Sequence, residues 1–214
     1  MSVLCVVGDV RGVTQLHDVV FVVCYKSSTI LRFNATTHQR LTDIVVRGLK
    51  DPLDIAACEQ TSLVYVADEW KCIWRVSTDG ADLKLWLPKS LHDTFRPESL
   101  SVTSTRLLMM SYTIQLMQFD ADGNELRRVH LPRYMDPRHA VESPTGTFIV
   151  SHNNTQLKQW QVSEVNTGGE VLYYVIATTS PESKFPNEYS DVIFIQIDQH
   201  LKKLLQKYKG FPIL

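Results

Sequence analysis

Between Pro52 and Pro97 the apolar and polar positions follow a short, repeated rhythm. A run from Ile55 to Ala57 follows the first proline. Leu63 to Ala67 is β-branched and aromatic and ends at Asp68. Ile73 to Val76 alternates and leads into Asp79-Gly80, and Leu83 to Leu87 alternates strictly. Short runs divided by turn residues predict four antiparallel strands in a meander. Asp79-Gly80 predicts a tight hairpin of type I′, because that turn needs positive φ and glycine supplies it at little cost.

The same layout recurs on both sides. Downstream, Pro97 precedes Leu107 to Ser111, Leu116 to Phe119, Asp122-Gly123 and Leu126 to Leu131. Pro137 precedes Thr147 to Ser151, Leu157 to Trp160, Gly168-Gly169 and Glu170 to Leu172. Upstream, Gly12 to Leu16 precedes Val20 to Cys24, Ile30 to Phe33 and Asp43 to Arg47. The second strands end at Cys24, Asp68, Ser111 and Ser151, a step of roughly 40–45 residues. Four strands per copy at that period predict an all-β array of β-propeller blades. The blades are expected at about 10–51, 52–96, 97–136 and 137–172. A single blade has two apolar faces and buries them only against its neighbours.

After residue 172 the rhythm breaks, and 173–214 reads as a degenerate or non-repeat tail. Tyr173 to Thr179 has strand character, Asp191 to Gln199 alternates in part, and Leu201, Leu204, Leu205 and Tyr208 have helical spacing.

Composition changes this picture little. The 214 residues are 44% hydrophobic and 21% charged, with a formal net charge of −1. That is an ordinary globular balance, and global charge does not point to nucleic acid. No apolar stretch reaches membrane-spanning length, and the N-terminus lacks a basic start and a long apolar core, so a cytoplasmic protein without membrane contact is expected. Cys5, Cys24, Cys58 and Cys72 include no CxxC pair and are expected as reduced thiols buried in strands. Asn34-Ala-Thr36 and Asn153-Asn-Thr155 match glycosylation sequons, which have no role without export.

In its residues the repeat resembles the NHL family of β-propellers. The second copy carries the match in Pro52, Ile55, Val64 to Asp68, Ile73 to Val76 and Asp79-Gly80. The third keeps Pro97, Phe119, Asp122 and Gly123, with Ser111 where the family favours aspartate. The fourth keeps Pro137, Gly146 to Val150 and Trp160, with Ser151 at that position, and the first has Cys24 there. The resemblance covers about 10–172 and implies a ring, usually of six blades, that serves as a binding platform for proteins or RNA. Four copies do not close such a ring. The expectation is therefore a fragment or truncated isoform, a ring completed by the tail, or an assembly with a partner chain.

Function in such an array is expected on the loops at one end of the blades. Those between second and third strands contain Tyr25, Lys26, Glu69, Trp70, Lys71, Tyr112, His152, Asn153 and Asn154. Those between blades contain Lys50, Asp51, His92, Asp93, Arg96, Arg133, Tyr134 and Arg138. Aromatics interleaved with Arg and Lys suit protein hot spots and also single-stranded RNA. The basic run from Leu126 to His139 adds to the second reading. The leading expectation is a non-enzymatic platform for a protein partner, with RNA binding as the alternative. A metal-dependent hydrolase or lyase of the six-bladed type is the third reading. Its expected channel residues, Arg11, Asp54, Glu98, Ser99, Arg138 and His139, form no converging ligand set in the sequence, so no cofactor, metal or catalytic residue is assigned.

Overall fold

In the computed structural model the described residues are 8–69, 72–87, 96–103, 106–111 and 114–176. All fall in one of the two units into which the chain divides, Met1–Ala177. The helix expected near the C-terminus lies outside the described residues.

Every described element is a strand. The first sheet contains β1 (Val10–Leu16), β2 (Val19–Cys24), β3 (Thr29–Asn34) and β4 (Ile44–Val45). The second contains β5 (Pro52–Cys58), β6 (Leu63–Asp68), β7 (Cys72–Ser77) and β8 (Leu83–Leu87). The third contains β9 (Pro97–Thr103), β10 (Arg106–Ser111), β11 (Gln115–Phe119) and β12 (Glu125–His130). The fourth contains β13 (Met135–Glu142), β14 (Phe148–Asn154), β15 (Gln159–Val165) and β16 (Val171–Ile176). Each sheet is an antiparallel meander with strands in chain order.

Hairpin chemistry sets these orders. Gly80, Gly123 and Gly169 all take positive φ between the third and fourth strands of their sheets. Asp79 does not, so the connection is not a type I′ turn. The loop is longer than a two-residue hairpin: Gly80 N–H bonds to Ser77 O, and Ser77 N–H to Asp82 O. Asp79 instead accepts the Ala81 N–H on its side chain at 3.0 Å. Asp120 and Asn166 organise the equivalent loops, each accepting two backbone N–H groups through Oδ1.

The first strands of successive sheets are neighbours: β1 lies against β5, β5 against β9, and β9 against β13. Alternation then supplies both faces of the central sheets. Val64 and Val66 of β6 pack with Phe21, Val23 and Ile30 of the first sheet. Tyr65 and Ala67 pack with Leu107, Met109, Met117 and Phe119 of the third. Leu108 and Met110 of β10 point the other way, onto Ala140, Phe148 and Val150 of the fourth. A one-residue slip would exchange these faces, so the packing pins the register. Trp86 closes the middle layer, edge-on to Tyr65 and Phe119 at centroid distances of 5.0 and 5.9 Å. Its indole N–H donates to Ala121 O at 3.0 Å.

Several strand boundaries differ from the sequence reading. The strand expected over 43–47 shrinks to β4, which pairs only with Thr29 and Ile30, while Arg40 makes an isolated bridge to Phe33 and binds the Asp43 carboxylate. The last strand runs to Ile176, beyond the break placed at 172, since Tyr173 to Ile176 continue the ladder with β15. Cys24, Cys58 and Cys72 are buried in strands.

Candidate interaction face

All four first strands carry a β-bulge at the same place. Pairing with the second strand skips Arg11 in β1, Leu53 in β5, Glu98 in β9 and Arg138 in β13. An extra residue twists the strand and re-aims its side chain. Just beyond each bulge, Val10, Pro52, Pro97 and Pro137 stand opposite Cys24, Asp68, Ser111 and His152. Thus the residue matching Asp68 in the fourth sheet is His152, not Ser151.

That position is structural. The buried Asp68 carboxylate accepts the N–H groups of Lys50 and Asp51 at 3.0 and 3.2 Å, holding the chain that enters the second sheet. His152 is 0% exposed and its Nε2 lies 2.9 Å from Ser163 Oγ. Burial lowers its pKa below the ordinary histidine value. His152 and Asn153 were expected in a loop and lie instead inside β14, as does Asn154. The reason is pairing: the ladder continues through Asn154 opposite Gln159, and the turn forms only where Asn154 Oδ1 caps Gln156 and Leu157.

Around the bulges the remaining side chains form a rim. Tyr25, 36% exposed, lies between two cations. The Arg11 guanidinium is 4.7 Å from its ring centroid and Lys26 Nζ is 5.0 Å away. Each such contact contributes about 0.5–1 kcal/mol at an exposed site. Lys26 reaches there from a left-handed conformation, φ 55°. In the second sheet Glu69 pairs with Arg96. Burial raises the Glu98 pKa, opposed by nearby Arg138 and Arg96. In the fourth sheet Arg138 binds Asp136 at 2.8 Å and lies 6.0 Å from the Trp160 ring centroid. Arg133 is exposed in the loop before β13, and Tyr134 is half-buried against the core of the last two sheets. Trp70, Lys71, Tyr112, His92 and Asp93 lie outside the described residues.

Trp160, Glu98 and Asp136 were not among the expected loop-face residues. Trp160 reads as a strand residue by alternation, and only the long β14–β15 hairpin carries it to Arg138. Farther in, Asp54 accepts the N–H groups of Ile55 and Leu100, both at 2.8 Å. Its oxygens are therefore committed to backbone. Among the described residues no group of three His, Cys, Asp or Glu is placed to hold a metal ion.

Solved structures with a similar course of chain carry the same architecture. Hydrazine synthase from Kuenenia stuttgartiensis matches with a TM-score of 0.62 and 14% identity, over 83% of this chain and 51% of that one. The WD40 β-propeller domain of Doa1 matches with a TM-score of 0.59 and 15% identity, over 78% and 54%. The fold is that of a β-propeller. The chain spans about half the length of these two structures. No family model matches it, and no curated protein is similar to it in sequence. Among the described residues no helix is long and apolar enough to cross a membrane.

Proposed function

We propose that this propeller is a non-enzymatic platform that binds a protein partner on the bulge rim, in the manner of NHL-type propellers. The observation that carries the reading is Tyr25, exposed and set between Arg11 and Lys26. A rigid aromatic flanked by cations is the composition of protein hot spots, where a few such residues supply most of the affinity.

Local charge favours protein over RNA. Arg11 is tied to Asp9, Arg96 to Glu69, Arg138 to Asp136, and Arg128 of the basic run to Glu125. Phosphate binding uses uncompensated cations along a track, whereas paired charges with aromatics suit a polar interface rim.

The test is affinity capture with quantitative mass spectrometry, with and without ribonuclease. A protein should be retained by the wild-type chain and by Leu126→Ala on β12, and lost with Tyr25→Ala and with Arg138→Ala. Retention that disappears with ribonuclease would replace this reading with RNA binding. A partner indifferent to both rim changes would move the site elsewhere.

A further inference from the structure

The first and fourth sheets carry the same three-part constellation at the same end. Arg11 and Arg138 are the residues skipped by the first-strand bulges of these sheets. Each binds the carboxylate two positions earlier: Arg11 Nη2 lies 2.9 Å from Asp9 Oδ2, and Arg138 Nη2 lies 2.8 Å from Asp136 Oδ2. Each guanidinium also lies over an aromatic ring, 4.7 Å from the Tyr25 centroid and 6.0 Å from that of Trp160. The rings come from different strands yet share one level. Tyr25 follows Cys24, which stands opposite Val10. Trp160 pairs with Asn153, which follows His152, and His152 stands opposite Pro137. In the two middle sheets the bulge positions hold Leu53 and Glu98, so no arginine occupies them.

An arginine held at one edge by a carboxylate and on its face by a ring is oriented before any partner arrives. A guanidinium has five N–H donors. Among the described residues Arg11 and Arg138 use one each, through Nη2. Their side chains are 41% and 50% exposed, so the remaining donors face solvent. A planar carboxylate is the group such a fork takes up in bidentate fashion. The acids of this face are already engaged. Asp9 and Asp136 hold these arginines, Glu69 holds Arg96, and Glu98 lies in the field of Arg138 and Arg96. Lys26, against the Tyr25 ring, and the exposed Arg133 make no ion pair among the described residues. The uncompensated charge beside both arginines is therefore positive.

We propose, on the platform reading above, that the partner contacts this face with an acidic peptide segment, whose carboxylates seat on Arg11 and on Arg138. Lys26 and Arg133 then supply the charge that Asp9 and Asp136 withhold. Asp9, Glu69, Glu98 and Asp136 on the same face repel a continuous phosphate backbone, whereas separate carboxylates meet the arginines one at a time. Two contacts on one peptide reinforce each other, because the second forms within the molecule.

Selection of a display library of random twelve-residue peptides on the full chain tests the acidic segment. The retained peptides should carry two or more acidic residues at a preferred separation. Replacing either acid by glutamine should weaken binding by about tenfold or more. Arg11→Gln and Arg138→Gln should each do the same, whereas Arg128→Gln on β12 should leave it unchanged. Asp9→Asn removes a competing carboxylate and should tighten binding about threefold, the worth of an exposed ion pair. Thermal melts check that the variants fold. A pool without acidic enrichment, or no retained peptide, overturns the acidic segment, while capture of a protein that depends on Tyr25 would still uphold the platform. Acidic peptides indifferent to both arginine changes also overturn it, since another surface then binds them. Displacement of the peptides by polyuridylate at lower concentration, with the same dependence on both arginines, would assign these residues to RNA instead.

Discussion

The side chain of Asp54 on β5 reaches across to β9, where its Oδ2 accepts the N–H of Leu100 at 2.8 Å. On the other side, a methyl group added at Gly12 of β1 would stand 3.0 Å from Asp54 Oδ1 and 2.9 Å from Ile55 N. One carboxyl thus joins the first strands of two sheets and abuts that of a third. Burial pushes its pKa up to about 7, although both backbone N–H bonds pull it down.

A raised carboxyl pKa makes stability fall with rising pH. The unfolded chain releases this proton near the ordinary aspartate value, while the folded chain keeps it until about pH 7. The contribution is largest below about pH 4, declines between about 4 and 7, and is constant above. The slope is at most about 1.4 kcal/mol per pH unit for one group. Asp54→Asn should therefore gain stability relative to the wild type between pH 5 and pH 8, by about 2–3 kcal/mol. Urea unfolding of both proteins at the two pH values measures this. Parallel pH profiles would mean that the carboxyl is solvated.

The buried histidines act in the opposite direction. Burial lowers the pKa of both His139 and His152. The unfolded chain binds their protons first, so their contribution is complete above the ordinary histidine value and is lost as pH falls below it. His152→Gln should flatten part of the acid limb of stability. In the wild type, the imidazole NMR shifts of His152 should stay those of a neutral ring through the pH range in which an ordinary histidine takes up its proton. Titration at or above the ordinary value would contradict its burial against Ser163.

Stacking of sheets, not surface charge, should dominate stability. Trp86→Ala removes the aromatic that joins Tyr65 and Phe119, and should cost about 3–5 kcal/mol. Arg128→Ala breaks an ion pair with Glu125 that lies partly in solvent, and should cost less than about 1 kcal/mol. Denaturant melts of the two variants rank the terms directly.

Two glycines separate strain from collision. Gly146 and Gly169 have φ of +81° and +87°. A Cβ at Gly146 meets nothing within 4 Å, whereas one at Gly169 collides with the His130 carbonyl oxygen and meets Val129. Gly146→Ala should show the conformational cost alone, about 1 kcal/mol. Gly169→Ala should lose at least about 1 kcal/mol more, because the backbone of β12 must shift. Equal losses in thermal unfolding would mean that the third and fourth sheets yield at this contact.

Most of the fold was legible because its signals are local. β-branched runs such as Leu63 to Ala67 and turn glycines such as Gly123 mark strands and hairpins without any knowledge of the whole. The bulges were not legible. Arg11, Leu53, Glu98 and Arg138 share no side-chain property, since the bulge arises from the pairing of two strands. Counting without it put Ser151 beside Asp68, where the register puts His152. The same gap placed His152 and Asn153 in a loop: polar residues near a strand end look solvated until their partners, Ser163 and Gln159 to Gln161, are known. The rim was legible in part. Tyr25, Lys26 and Arg138 stand there because strand ends are predictable, whereas Trp160 arrives through the length of one hairpin.

The most direct test of the platform reading is site-specific photo-cross-linking. A photo-reactive phenylalanine replaces Tyr25 in one protein and Leu85, exposed on outer strand β8, in another. Cross-links to a protein partner from position 25, absent from position 85 and abolished by Arg138→Ala, are the predicted result. Cross-links from position 85 alone, or nuclease-sensitive adducts at position 25, would contradict a protein-binding rim.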